Sequence, residues 1–207
     1  MNVGDSPFEG ADITVSEITV SDLGHADIEN ILNYWFGSSS LELRAMIGFD
    51  PNKMPSRRLM REALALKTGQ GSVAPTILTI RVRGVSVGVH ELTHIEPRVS
   101  AIMHAHIWNT EHRGRGIGAV SYVRAMERFF EAHGFQRLIF DTPSTNLAAN
   151  KVKQLWGISP CGRGTFVIPT MAEPIATTRY QVERAHLAGI VERVERLWKY
   201  KPLRKQG

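Results

Sequence analysis

The stretch Arg98-Val99-Ser100-Ala101-Ile102-Met103-His104-Ala105-His106-Ile107-Trp108, followed by Asn109-Thr110-Glu111-His112 and then by Arg113-Gly114-Arg115-Gly116-Ile117-Gly118, decides how this chain folds. Its first part reads as a strand rich in residues that favour the pleated conformation. From Gly116 to His133 the period becomes helical: Ile117, Val120, Val123, Met126 and Phe130 share one stripe, and Gly134 stands where a helix stops. The order is therefore strand, glycine loop, helix. Glycines let successive backbone N–H groups point into one concavity, and a helix N-terminus adds roughly half a positive charge. Arg113, Arg115 and His112 stand beside it. Three alternate glycines can also serve tight packing alone, but this context favours capture of an anion, and a diphosphate is the natural ligand.

Working outward, Ile13 to Val20 alternates as a strand would, and Asp22 opens a helix with Ile28, Ile31, Leu32 and Trp35 on one face. Pro55 to Leu66 reads as a second helix with Leu59, Met60 and Leu64 inward. Thr76 to Val82 and Ser86 to Thr93, separated by Arg83-Gly84, join Arg98 to Trp108 in an antiparallel meander. Beyond the long helix come a strand over Phe135 to Asp141, a helix over Asn146 to Trp156 and a strand near Thr165 to Ile168. Arg179 to Tyr200 places Leu187, Ile190, Val191, Val194, Leu197 and Trp198 at helical spacing. The class is α+β: a mixed, largely antiparallel sheet flanked by helices, with residues 1–178 as one domain and 179–207 as an amphipathic helix with a basic tail. That stripe can dock on its own domain or on a second copy in a homodimer.

Composition narrows the function. The 207 residues carry 25 Lys+Arg against 20 Asp+Glu, a net charge of +5, and a single cysteine, Cys161. One cysteine excludes a disulfide framework, and no run of about eighteen apolar residues exists to cross a membrane. Met1 to Gly10 holds Asp5 and Glu9 and no apolar core of a signal peptide, so cytoplasm is expected. Lys199, Lys201, Arg204 and Lys205 account for most of the basic surplus. An anionic partner fits that charge, which by itself does not separate nucleic acid from a phosphorylated cofactor; the glycine loop, and the family likeness that follows from it, make nucleic acid the less expected of the two.

Arg113-x-x-Gly116-x-Gly118 after an antiparallel meander resembles the acyl-CoA pyrophosphate loop of the GNAT superfamily of N-acyltransferases. Gly134-Phe135, Asn146-Leu147-Ala148-Ala149 and Gly157-Ile158 continue the likeness. It covers the element order from Ile13 to Ile168, with specific motifs from His104 to Ile158. The resemblance implies acetyl-CoA as co-substrate, Arg113, Gly114, Arg115, Gly116, Ile117 and Gly118 around its pyrophosphate, the Trp108 backbone along the pantetheine arm, and a contact from Asn146. A dinucleotide fingerprint over Gly116-x-Gly118-x-x-Ser121 fails, because Ser121 replaces the third glycine and the glycines lie several residues past the strand end. Without Gly-Lys-Ser/Thr there is no P-loop.

Two histidine patterns remain. His90-Glu91-Leu92-Thr93-His94 spells a zinc-protease motif that needs a helix, yet its neighbours describe a strand, on which rings four residues apart stand about 13 Å from each other. No metal is expected there, and the three residues are read as surface or cleft residues. His104-x-His106 puts both rings on one side of the strand that feeds the loop. Taking the proton of an ammonium group needs a base that titrates as histidine does, and the resemblance places His104 or His106 in that role; buried structural histidines or a weak metal site are the other readings. Where the family often carries a tyrosine that protonates the leaving thiolate, this chain has Lys153, read either as that acid or as a solvated cofactor contact. Cys161, in a Gly-Pro-rich turn, has no activating partner in sequence. The expected function is transfer of an acetyl group from acetyl-CoA to a primary amine, on a small molecule or a peptide, by direct attack. A non-catalytic acyl-CoA sensor or nucleic-acid-associated module is the alternative. Glu42 and Asp50 are candidates to meet the acceptor's ammonium group.

Overall fold

The computed structural model describes residues 13–37, 48–68, 74–167, 170 and 173–199. Its strands are β1 (Ile18–Asp22), β2 (Ile77–Val82), β3 (Val85–Glu96), β4 (Ser100–Ile107), β5 (Arg137–Pro143), β6 (Gly162–Phe166) and β7 (Ile175–Glu183). They form one sheet in the order β1-β2-β3-β4-β5-β7-β6. Among the described residues the α-helices are α1 (Ile28–Phe36), α2 (Arg57–Ala65), α3 (Ile117–His133), α4 (Leu147–Leu155) and α5 (Leu187–Lys199). The α+β expectation holds. β1 to β4 are antiparallel neighbours, as are β5 with β7 and β7 with β6.

The one parallel contact positions the site. β4 and β5 pair only through Ser100–Arg137, Ala101–Leu138 and Ile102–Ile139. Past them, β4 runs on to Ile107 toward the glycine loop, while β5 runs on to Pro143 paired with β7 alone. A wedge opens between the two strands.

Period-two alternation sorts the strand residues between two cores. On one face Leu78, Ile80, Leu92, Met103 and Leu138 meet Val120, Val123, Met126, Phe129 and Phe130 of α3. On the other, Ile77, Val89 and Trp108 meet Ile28, Ile31, Leu32 and Tyr34 of α1 and Leu64 of α2. Between them Asp27 is buried, accepting a hydrogen bond from Thr79 at 3.0 Å and pairing with Arg81 at 2.7 Å.

Several expectations change. The strand expected over Ile13 to Val20 begins at Ile18, because Thr14 and Glu17 cap a short 3₁₀ turn in which the Thr14 N–H donates to Glu17 Oε2 at 2.7 Å. Leu59 is exposed: Ser56 Oγ caps α2 by accepting from its N–H, and the helix turns Leu64 and Met60 inward instead. Tyr34, not Trp35, takes the fully buried place on α1. Arg179 to Glu183 belongs to β7 and not to a helix, because Tyr180 and Val182 enter the core while Arg179 pairs with Asp141 across the strands. The boundary expected between residues 178 and 179 thus falls inside β7. Helix α5 turns the first part of its stripe onto its own domain: Ile190 and Val194 are buried in the α3 core with Leu187 and Val191 against it. Glu42, Ile168, Tyr200 and the basic residues Lys201, Arg204 and Lys205 lie outside the described residues. No helix among the described residues is long and apolar enough to cross a membrane.

Candidate active site

The wedge between β4 and β5 is a cleft of about 320 Å³. One wall is the face of β3 and β4 that looks toward α1. His104 and His106 both stand on it, as period two requires, with Glu91 and Thr93 of β3 on the same side. Each imidazole is held. His104 Nε2 shares a hydrogen bond of 2.8 Å with Thr93 Oγ1, and His106 Nδ1 shares one of 3.3 Å with the Tyr34 hydroxyl. Phe166 lies against the His104 ring, and Trp35 against the His106 ring. Burial disfavours the imidazolium, so His104 is pulled down to about 4 and His106 to about 3. Both are neutral at pH 7.

The opposite wall carries Lys153 of α4, which is 1 % exposed. This corrects the reading of a solvated lysine. Its Nζ lies 4.5 Å from the Tyr122 ring centroid, 5.4 Å from that of Phe140 and 5.6 Å from that of Trp156. Aromatic faces stabilise the cation in part, but desolvation dominates and lowers its pKa to about 7. The cleft thus has neutral proton acceptors on one wall and a poised ammonium on the other.

At the end of β4 the chain enters the glycine loop. Gly114 and Gly116 have φ of 72° and 79°, the left-handed region that glycine occupies without strain. Gly116 is the N-cap of α3 and has no side chain to accept from the first N–H groups of the helix. Those donors have no side-chain cap from Gly116, and Arg113 and Arg115 are adjacent in sequence. Arg113 also donates to the Ile107 carbonyl at 3.1 Å, which pins the loop to the end of β4. A Cβ on Gly118 would meet nothing closer than Ile107 Cδ1 at 3.7 Å. These features fit a diphosphate and, with the wedge beside them, an acyl-CoA.

Other expected residues are placed as follows. Asn146 lines the cleft and caps α4, its Oδ1 accepting from the Ala149 N–H at 3.0 Å. The Trp108 N–H donates to the Val87 carbonyl at 2.9 Å and its ring packs under α1, so only its carbonyl side remains for a ligand. His90 and His94 part company on β3: His90 is fully buried behind the sheet, bonded to Ser121 Oγ at 3.0 Å, and His94 is exposed. The reading of His90 as a surface or cleft residue is thereby corrected. No group of three or more His, Cys, Asp or Glu among the described residues is arranged to hold a metal. Cys161 is exposed, its Sγ directed at the Arg179 carbonyl. Asp50 does not line the cleft.

Sequence reasoning did not find Tyr34, Thr93 or Phe166, which complete the histidine wall. Tyr34 reaches His106 from 72 residues away, a contact that no local spacing announces. Thr93 becomes visible only once the register that sets it diagonal to His104 is known, whereas Glu91 takes the cleft place that was one of its two readings.

Neither a family model nor a curated protein matches the sequence. Solved structures do match the fold. A ribosomal L7/L12 alpha-N-protein acetyltransferase, RimL, in complex with coenzyme A superposes with a TM-score of 0.64 at 15% identity, covering 84% of this chain and 98% of that one. The microcin C7 self-immunity acetyltransferase MccE, in complex with acetyl-CoA and AMP, gives 0.64 at 14% identity over 81% and 92%. A spermidine N-acetyltransferase chimera from Vibrio cholerae SpeG and hSSAT gives 0.62 at 17% identity over 83% and 98%. The fold is that of the GNAT acetyltransferases.

Proposed function

We propose that the protein is an acetyl-CoA-dependent N-acetyltransferase that acetylates a primary amine by direct attack. One observation carries the reading: the wedge that holds two neutral histidines opens at the end of the strand that delivers the uncapped, glycine-led N-terminus of α3. Arg113, Arg115 and the backbone from Gly114 to Gly118 bind the diphosphate. Acetyl-CoA supplies the acetyl group as an activated thioester.

The chain's own residues handle the protons. An amine attacks only when neutral, so its ammonium proton must leave, and His104 or His106 takes it. In the tautomer that donates Nε2–H to Thr93 Oγ1, Nδ1 of His104 is the accepting atom. Burial keeps both rings free of protons at neutral pH, at the cost of making them weak bases. On the opposite wall, Lys153 Nζ holds the proton that the departing thiolate requires. As the new C–N bond forms the C–S bond breaks, and one proton is taken up on the first wall while one is given from the second.

The test is Gly118→Asp, not a change at Gly116, whose φ of 79° would strain any side chain. Aspartate suits the first turn of a helix, so the fold survives while its charge repels the diphosphate. Calorimetry is expected to show loss of acetyl-CoA binding with the circular dichroism unchanged. A folded variant that binds acetyl-CoA with wild-type affinity overturns the assignment. Wild-type protein that binds acetyl-CoA yet releases no free thiol across a panel of amines is a sensor and not an enzyme.

A further inference from the structure

Two carboxylates face the cleft, and their surroundings differ. Asp141 is neutralised by Arg179 through contacts of 2.7 and 2.6 Å. Glu91 makes no hydrogen bond or ion pair with a described residue; only the field of Lys67 reaches it. It is half-buried, and desolvation pushes its pKa up. A half-buried carboxylate without a hydrogen-bond partner is costly unless a cation meets it.

Its position says which cation. Glu91 stands directly opposite His104 and diagonal to His106, all three on the face toward α1. Directly opposed side chains on neighbouring strands lie about 5 Å apart at Cβ, and diagonal ones about 7–8 Å. A carboxylate beside an ammonium favours its charged form, so Glu91 suits a nitrogen that keeps its charge better than the one that must lose it. Glu91 is therefore badly placed for the nucleophile and well placed for a second positive centre a few ångströms further on. Tyr34, Trp35 and Phe166 line the same cleft with aromatic surface suited to methylene groups and to a cation.

From this juxtaposition we infer that the acceptor is a compact aliphatic diamine: Glu91 binds the ammonium that is not acetylated, and the aromatic wall encloses the alkyl chain between the two nitrogens. Three or four methylenes separate terminal nitrogens by about 5–6 Å, close to the Cβ spacing of a directly opposed pair such as Glu91 and His104. The inference rests on the acetyltransferase reading, and it deepens that reading by naming the substrate class.

The experiment titrates 1,4-diaminobutane and 4-amino-1-butanol into the whole protein and into Glu91→Gln, with and without saturating CoA. These probes differ only in the second nitrogen. The wild type is expected to bind the diamine at least about tenfold more tightly than the amino alcohol, and Glu91→Gln is expected to abolish that advantage while keeping the wild-type melting temperature and CoA affinity. The kcat/KM ratio of the two amines is expected to follow. Equal binding of both probes by the wild type, or a preference that survives Glu91→Gln, overturns the inference. Failure to bind CoA would instead refute the acetyltransferase reading, and the titrations without CoA still read Glu91.

Discussion

The two walls of the cleft both bury titratable groups, and they hold them by different means. On the β3–β4 wall, hydrogen bonds to Thr93 and Tyr34 fix neutral imidazoles. On the α4 wall, the rings of Tyr122, Phe140 and Trp156 surround an ammonium that desolvation has brought to about 7. Hydrogen bonds orient a group and select its tautomer, whereas aromatic faces leave a cation free to gain or lose its proton. In the proposed reaction the first wall receives a proton in one place and the second releases one.

The largest effect that tests this contrast comes from removing the receiving wall. His104→Ala combined with His106→Ala is expected to lower turnover by roughly a hundredfold or more, with acetyl-CoA affinity held near wild type by calorimetry. Wild-type turnover in the double variant would return both histidines to a packing role. A smaller loss, about tenfold, is expected of Lys153→Met, because a thiolate with an ordinary thiol pKa near 8.5 leaves without much help. Its signature is the pH profile: the limb of kcat that falls as Lys153 loses its proton above about 7 should vanish.

The loop and the histidine wall were legible in sequence for one reason: each is a local pattern. Strand alternation sets His104 beside His106, and a run of glycines before a helical stripe makes an anion site wherever the chain goes next. The Lys153 wall was not legible. Its rings come from α3, β5 and α4, and a lysine on a helix says nothing of the three rings that will close over it. The same limit hid β7: Arg179 to Glu183 carries no stronger strand signal than helix signal, and Tyr180 and Val182 are drawn into the core by pairing with β5 and β6. Leu59 went wrong because the helix phase was set without its Ser56 cap.

The smallest expected effect is on stability, and it separates the walls by pH. Lys153 ionises near 10.5 in the unfolded chain and about 7 in the folded one, so across that interval the unfolded state binds the extra proton and stability falls as pH falls. His104 and His106 move from 6.5 to about 4 and about 3, so their loss begins below 6.5 and continues into acid. Urea titrations are expected to show a slope of about 1.4 kcal/mol per pH unit from the lysine wall and up to about twice that from the histidine wall. Lys153→Met should erase only the alkaline slope and the double histidine variant only its share of the acid one. Identical pH profiles for all three proteins would mean that the walls do not differ in this way.

The three-residue ladder between β4 and β5 makes the sheet, mechanically, two leaves stitched along one short seam. Strands β1 to β4 form one leaf, and β5, β7 and β6 the other. A molecule lying in the wedge with polar groups toward both edges completes the seam that the polypeptide leaves open. Under the proposed function, occupancy and cohesion become one quantity, because a ligand in the wedge acts as a removable length of backbone between the two leaves.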